Sequence, residues 1–264
     1  MARRRRWTLP KLILWAAALA GVGILAYLLS FPDVAALRTH NPTNTSLMDL
    51  RRRQARAAGH KLRIHYQWEP LSEISPNLVH AVVLAEDDTF YQHHGFDWEQ
   101  ILEAVRRDWA KRKFVYGGST LTQQLARSLY LSPRKNLLRK AKEALITLQL
   151  ERTLSKRRIL ELYLNVTEWG NGVFGAEAAA RTYFGVEAKD LTADQAAALT
   201  TVLPNPRRWN PLSERAFMAQ RRTRLLERME AAGYVPVQMS TAAGSGYENP
   251  KDPGPEEQVD PSTL

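Results

Sequence analysis

At 264 residues the chain can hold one full-sized domain and short appendages. A formal net charge of +10 and a pI of about 9.9 call for an anionic partner: a lipid surface, a nucleic acid or a phosphorylated substrate. There is no cysteine, which excludes disulfides and thiolate metal sites.

In chain order, the first feature is Leu12 to Phe31, LILWAAALAGVGILAYLLSF, 20 residues without a charge. As a helix it would extend about 30 Å, the thickness of a bilayer's hydrocarbon core. Arg3, Arg4, Arg5, Arg6 and Lys11 precede it, so the N-terminus is expected in the cytoplasm. The run is longer than a signal-peptide core and no small-x-small site follows, which favours an uncleaved single-pass anchor over a cleaved signal. Everything after Phe31 would then lie outside the cytoplasmic membrane, and nucleic acid drops out as the anionic partner. The expected divisions are a basic tail (1–11), the anchor (12–31), a juxtamembrane connector (32–68), one folded domain (69–235) and a disordered tail (236–264). In the connector, Arg51, Arg52, Arg53 and Arg56 are placed to rest on anionic head groups.

From Ser75 to Gly233 the pattern is helical, with no alternation long enough for a sheet, although short strands fit near Leu62 to Tyr66. Ser75-Pro76 is a cap followed by proline at the first helical position. Asp97 caps a second helix carrying Trp98, Ile101, Leu102, Val105 and Trp109. Leu121, Leu125 and Leu129 mark a third, and Leu138, Ala141, Leu145 and Leu148 a longer fourth. Thr192 to Gln195 forms a capping box before an alanine-rich helix that stops ahead of Pro204. Arg221 to Ala232 is a last amphipathic helix closed by Gly233. The fold class is therefore mostly α.

Three clusters can carry chemistry. Glu86 ends the helix begun at Pro76, beside Asp87. The helix C-terminus, the adjacent acid and partial burial would each raise its pKa toward proton-transfer range, unless it is simply an exposed acidic helix end. In GGSTLTQQL, Gly117 and Gly118 permit close backbone approach, and Ser119 or Thr120 can cap the next helix. Gln123, Gln124 and Arg127 follow within one turn. Adjacent glutamines among leucines need partners, so a binding role is expected. In RKAKE, Arg139 and Lys140 stand four and three residues before Glu143, a spacing that also suits a solvated ion-pair ladder. From Arg106 to Arg158 there are fifteen Lys or Arg against Asp108, Glu143 and Glu151. A field that basic suggests a polyanion such as diphosphate. Ser132 to Lys135 matches S-x-x-K by chance, since no K-T-G follows. His93-His94 lacks a third ligand for zinc.

These stretches together resemble the peptidoglycan glycosyltransferase family, glycosyltransferase family 51, in its short, membrane-anchored, monofunctional form. EDDTFYQHHGFD is similar to the family's first motif, GGSTLTQQL to the second, and Arg139 to Glu143 to the third. Lys156 to Asn165 is similar to the fourth, and WGNGVFGAEAAARTYFG with LTTVLPNPRRWNP to the segments after it. The resemblance covers roughly Ser75 to Pro211. It implies a lysozyme-like helical fold and polymerisation of lipid II with release of undecaprenyl diphosphate and inversion. Glu86 would be the general base, and Glu143 would stabilise the donor site or orient its neighbours. Ser119, Thr120, Gln123, Gln124, Arg127, Arg139 and Lys140 would hold substrate, while Lys156, Glu161 and Asn165 would serve the architecture. Some members use a divalent cation, Mg or Mn, near the diphosphate, and no residues here identify a metal site. The implied partners are lipid II, the growing glycan, the membrane and other cell-wall synthesis proteins, without nucleic acid. Phe114, Val115 and Tyr116 are candidates for dipping into the outer leaflet or for a mobile loop. The competing readings are a lysozyme-like lytic hydrolase, which the basic surround disfavours, and a non-catalytic assembly scaffold, which intact Glu86 and Glu143 disfavour.

Overall fold

The computed structural model describes residues 9–111, 118–132 and 136–235, except the side chains of Leu9, Leu12, Val105 and residues 107–111. Phe114 to Tyr116, Gly117 and the tail from residue 236 lie outside that set. The chain is mostly helical, as its periodicity predicts. Helix α1 (Leu9–Leu29) is followed by α2 (Ser46–Ala57), α3 (Pro76–Glu86), α4 (Trp98–Lys111), α5 (Leu121–Tyr130) and α6 (Leu137–Thr153). Then come α7 (Lys156–Val166), α8 (Ala176–Phe184), α9 (Ala193–Thr201) and α10 (Ala216–Ala231).

Two helical groups share one core. Helix α3 packs on α9 and α10, and α5 packs on α6, α7 and α2. Leu121 and Leu125 of α5 are fully buried and Leu129 nearly so, the i, i+4, i+8 face its sequence shows. Truncating such a leucine to alanine costs about 2–5 kcal/mol. Ala178, Ala179 and Ala180 of α8, and Ala196, Ala197 and Ala198 of α9, are buried, so small side chains there permit close packing. Trp169, Phe90 and Phe174 fill the centre with the largest side chains.

Helix α6 departs from its predicted face. Glu143, Ile146, Thr147 and Leu150 point inward, whereas Leu138 and Ala141 are exposed and Leu145 and Leu148 are half-buried. The buried face is the one that carries the Glu143 carboxylate. A small sheet also appears, with its first strand inside the Leu62 to Tyr66 stretch where short strands fit and two more that the periodicity did not predict. Strands β1 (His65–Tyr66), β2 (Glu168–Gly170) and β3 (Val173–Phe174) pair in the order β1-β3-β2, with β1 parallel and β2 antiparallel to β3. The Asn171-Gly172 pair between β2 and β3 is a hairpin signal that the periodicity count overlooked.

Parts of the connector expected over 32–68 pack into the fold. Val34 and Leu37 join the main core, and Met48 and Ala55 of α2 are buried. Arg51, expected on lipid head groups, reaches Glu168 with Nη2 to Oε2 at 2.6 Å and Nε to Oε2 at 2.8 Å. Glu168 is buried, so this two-pronged pair fastens α2 to β2. Asn165 does the same for the following segment. Its Oδ1 accepts from the Glu69 backbone N–H at 2.8 Å, and its Nδ2 donates to the Glu69 carbonyl at 2.8 Å.

Helix α1 carries apolar side chains open to solvent, including Leu14, Trp15 and Leu19. Among the described residues, which omit the Leu12 side chain, no helix is long and apolar enough to cross a membrane.

Candidate functional site

Glu86 sits where α3 stops. Ser75 starts that helix by accepting the Asn77 N–H at 3.3 Å, with Pro76 at the first position as predicted. Leu78, Ala81 and Val82 bury one face, which fixes the axis and brings residue 86 to the wall of a cleft. The Glu86 carboxylate is half-buried and accepts from Gln124 Nε2 at 2.8 Å. Burial raises its pKa above the ordinary carboxylate value. The Gln124 hydrogen bond, Arg221 and Arg127 oppose that rise, and Asp87 adds a smaller push upward.

Asp87 influences Glu86 less than its adjacency suggests. Its buried carboxylate turns away, with Oδ1 2.8 Å from His93 Nε2 and Oδ2 accepting the Leu121 N–H at 2.9 Å. Asp87 thereby ties the end of α3 to the start of α5. His93 Nδ1 accepts the Gly95 N–H at 3.1 Å, so the proton on the neutral ring belongs on Nε2, facing Asp87.

The start of α5 sorts the predicted binding residues into two kinds. Thr120 Oγ1 accepts the Gln123 N–H at 3.3 Å, and Gln123 Oε1 accepts the Thr120 N–H at 3.0 Å, a reciprocal capping box. Both side chains are buried, and Thr120 also donates to the Gly95 carbonyl at 2.7 Å. Thr120 and Gln123 thus cap α5 with the side chains expected to hold substrate. Gln124, the other of the adjacent glutamines, reaches Glu86. While donating to Glu86, it accepts the Tyr163 hydroxyl through Oε1 at 3.1 Å. Burial, and then Glu86, push the Tyr163 pKa far up, so the hydroxyl stays a donor. Tyr163 lies within the fourth motif on α7, and sequence spacing gave no sign that it would meet Gln124.

Arg139 and Lys140 meet Glu143 on α6 as the spacing predicts, Nη1 to Oε2 at 2.6 Å and Nζ to Oε1 at 2.5 Å. The Glu143 side chain is fully buried. A solvated ladder is excluded, because a buried carboxylate needs both cations to hold its charge. Lys140 Nζ also lies 3.4 Å from Ser119 Oγ. Glu143 thus holds two cations, and it does not itself line the Glu86 cleft.

That cleft, about 420 Å³, is lined by Glu86, Asp87, Asp88, Thr89, Asp97 and Gly118 among others. Glu99, Glu103 and Arg228 also face it, so the wall beside Glu86 is acidic where a cationic groove was expected. The basic cluster adjoins it through consecutive residues, Gly118 on the cleft wall and Ser119 beside Lys140. The acidic wall beside Glu86 and the basic cluster around Glu143 are thus linked by consecutive residues of the chain. Helix α10 adds Arg221, flanked by Trp209 and Phe217 at 5.2 and 5.6 Å, and Arg228, 3.4 Å from Asp88. Neither was read as a site residue, since docking of a helix so distant in sequence leaves no spacing signal. In the fourth motif, Lys156 and Glu161 make contacts within the protein. Lys156 pairs with Glu151 at 2.9 Å and lies 4.4 Å from the Phe90 ring centroid, and Glu161 accepts the Leu71 N–H at 2.9 Å. Among the described residues no three His, Asp or Glu side chains group to ligate a metal ion. Glu86 is engaged by Gln124, and Glu143 by Arg139 and Lys140.

Comparison with known proteins gives the family. Residues 55–230 match the family model described as Transglycosylase. A biosynthetic peptidoglycan transglycosylase of Aromatoleum aromaticum is 53% identical over 169 residues, 64% of this chain and 74% of that protein. A protein of the same description from Azoarcus sp. is 51% identical over 187 residues, 71% of this chain and 79% of the other. One from Janthinobacterium sp. is 41% identical over 225 residues, covering 85% and 97%.

Proposed function

The chain belongs to the transglycosylase family and is a peptidoglycan glycosyltransferase, and from that premise we propose that it polymerises lipid II into β-1,4-linked glycan by inversion, with Glu86 as general base. The observation that carries the reading is the Glu86 carboxylate at the cleft wall, held by Gln124 and raised in pKa by burial. A base so placed is strong enough to accept a proton near neutral pH and remains accessible to a sugar.

In the proposed reaction, Glu86 takes the proton from the 4-hydroxyl of the acceptor's N-acetylglucosamine. That oxygen forms a bond to the anomeric carbon of the donor's N-acetylmuramic acid. The bond from that carbon to the diphosphate breaks on the opposite face, and its electron pair leaves with undecaprenyl diphosphate. Arg139 and Lys140, aimed by Glu143, neutralise the departing charge, with Ser119 and Arg127 as further donors. The acidic wall beside Glu86 suits a neutral sugar acceptor, and the basic end suits the donor's diphosphate.

Membrane anchoring belongs to the same proposal. With Leu12 counted, the uncharged run over 12–31 together with the solvent-facing side chains of α1 supports a single pass with the catalytic domain outside the cytoplasmic membrane. Substrate and leaving group both carry polyprenyl tails, so a tethered enzyme meets them in the plane of the bilayer. The deciding experiment incubates purified protein with labelled lipid II and reads glycan length for the parent and for Glu86→Gln. Long chains from the parent and almost none from the variant support the reading. Equal polymerisation by the variant removes Glu86 as base.

A further inference from the structure

Lys142 is the residue of the RKAKE stretch that the proposed chemistry leaves unused. It is 8% exposed, although lysine rarely stays buried without a purpose. Its Nζ donates to the Tyr27 carbonyl at 2.7 Å and to Ser30 Oγ at 2.7 Å, and stands 4.2 Å from the Tyr27 ring centroid. Ser30 Oγ in turn donates to the Tyr27 carbonyl at 2.8 Å. All of these partners belong to the last turn of α1 or to the residue just after it. A helix end presents unpaired carbonyls and partial negative charge, and α1 has no basic residue of its own in its last turn. Helix α6, 115 residues away in sequence, supplies that cation.

The next residue after Lys142 is Glu143, which holds Arg139 and Lys140. Residues 139 to 143 span about 6 Å of helix, so anchor contact and cationic cluster share little more than one rigid turn. A membrane lipid presents its diphosphate at a fixed depth, and a cation displaced by a few ångströms loses its hydrogen bond.

We propose that Lys142 is a positioning residue that clamps the C-terminal end of α1 to α6 and so sets the height of the Arg139–Lys140–Glu143 cluster above the bilayer. The inference rests on the proposed anchoring and lipid substrate, and on contacts that neither proposal uses.

The test uses full-length protein in phospholipid vesicles and two donors, lipid II and a water-soluble analogue with a shortened tail. Lys142→Met lowers kcat/KM for vesicle-borne lipid II about tenfold, the loss of one charge-assisted hydrogen bond, and changes the soluble donor by less than about twofold. Lys142→Arg restores most of the loss, because its guanidinium also reaches carbonyls. Equal losses on both donors, or no loss on either, overturn the proposal. A second readout needs no turnover. Because the chain has no cysteine, spin labels placed at Leu29→Cys and Leu138→Cys report the α1–α6 distance alone. That distribution is narrow in the parent and broad with Lys142→Met, and an unchanged distribution sinks the clamp whatever the activity. A parent inactive on both donors retires the proposed reaction and leaves the distance readout to judge Lys142.

Discussion

Gln124 Nε2 donates to Glu86 Oε2 at 2.8 Å, joining the first turn of α5 to the last residue of α3 across 38 positions of sequence. The contact orients one carboxylate oxygen, and on the proposed mechanism the other receives the acceptor's proton. It also opposes the pKa rise that burial causes.

Glu86→Gln keeps the shape and the Gln124 contact and removes the base. Polymerisation should fall about 10²–10⁴-fold, the usual worth of a positioned general base. Stability should move the other way with a defined sign. Because the folded-state pKa is raised, the folded protein binds this proton more tightly than the unfolded chain, so Glu86 costs stability as pH rises through that interval. The gain in Tm of Glu86→Gln over the parent should therefore be small near pH 4 and larger near pH 8. Thermal melts at the two pH values check this, and a gain that shrinks as pH rises contradicts the assignment. In the parent, activity should decline on acidification at a pH above the ordinary carboxylate pKa.

Tyr163→Phe deletes the hydroxyl that fixes the Gln124 amide at 3.1 Å. The freed Oε1 then lacks its buried donor, at a cost of about 1–3 kcal/mol. The amide can also turn its oxygen toward Glu86, which places acceptor against acceptor. We expect kcat to fall several-fold with KM nearly unchanged, and the acid limb of the pH profile to shift upward as Glu86 loses its donor. A change in KM alone, measured on lipid II, counts against the relay.

Thr120→Ala separates cap from ligand. The capping box predicts a stability loss of about 1 kcal/mol, with donor affinity unaltered because the Thr120 side chain is buried. Weakened donor affinity at unchanged Tm would restore the binding role that the sequence suggested. This position shows where sequence reading stopped. Glu86, Arg139 and Glu143 were legible because helix spacing fixes which neighbours on one helix meet. Gln123 and Gln124 look alike in sequence, and only the direction in which α5 docks on α3 and α7 decides which one caps and which one reaches Glu86. The same holds for α6, whose buried stripe was decided by Glu143 and its partners, and for α10, whose Arg221 is brought near Glu86 by packing on α3. Local periodicity carried the helices. The connector's place in the core and the small sheet depended on long-range pairs such as Arg51 with Glu168.

Arg139→Ala and Lys140→Ala should differ although both residues touch Glu143. Arg139 is largely buried and Lys140 about half exposed, 12% against 46% by side chain. Removing Arg139 leaves a fully buried carboxylate with one partner, so a loss on the order of 2–3 kcal/mol in stability should accompany weaker donor binding. Lys140→Ala should leave Tm within a few degrees and raise the apparent KM for lipid II, because the exposed ammonium is the one free to follow the diphosphate. Matching melts and titrations of the two variants decide the order, and a Lys140 variant less stable than the Arg139 variant reverses the argument.

Gly172→Ala tests whether the unexpected sheet supports the site. Gly172 has φ +79°, and a Cβ there would stand 2.7 Å from the Arg63 carbonyl oxygen. Its own carbonyl accepts the His65 N–H at 2.8 Å, so the chain cannot relax without breaking the pairing of β1 with β3. Left-handed backbone for alanine plus that contact should cost about 2 kcal/mol or more, roughly 4–8 °C in Tm for a domain this size. The β2–β3 hairpin follows α7, which carries Tyr163, and leads into α8, while Glu168 on β2 holds Arg51 of α2. Strain there should loosen the seat of α7 and lower the fraction folded. It should not change the pH dependence of the folded remainder, because no hairpin residue is among those lining the Glu86 cleft. A shifted acid limb at full folding would mean that the sheet acts on the base directly, and the division between scaffold and site drawn from these contacts would be wrong.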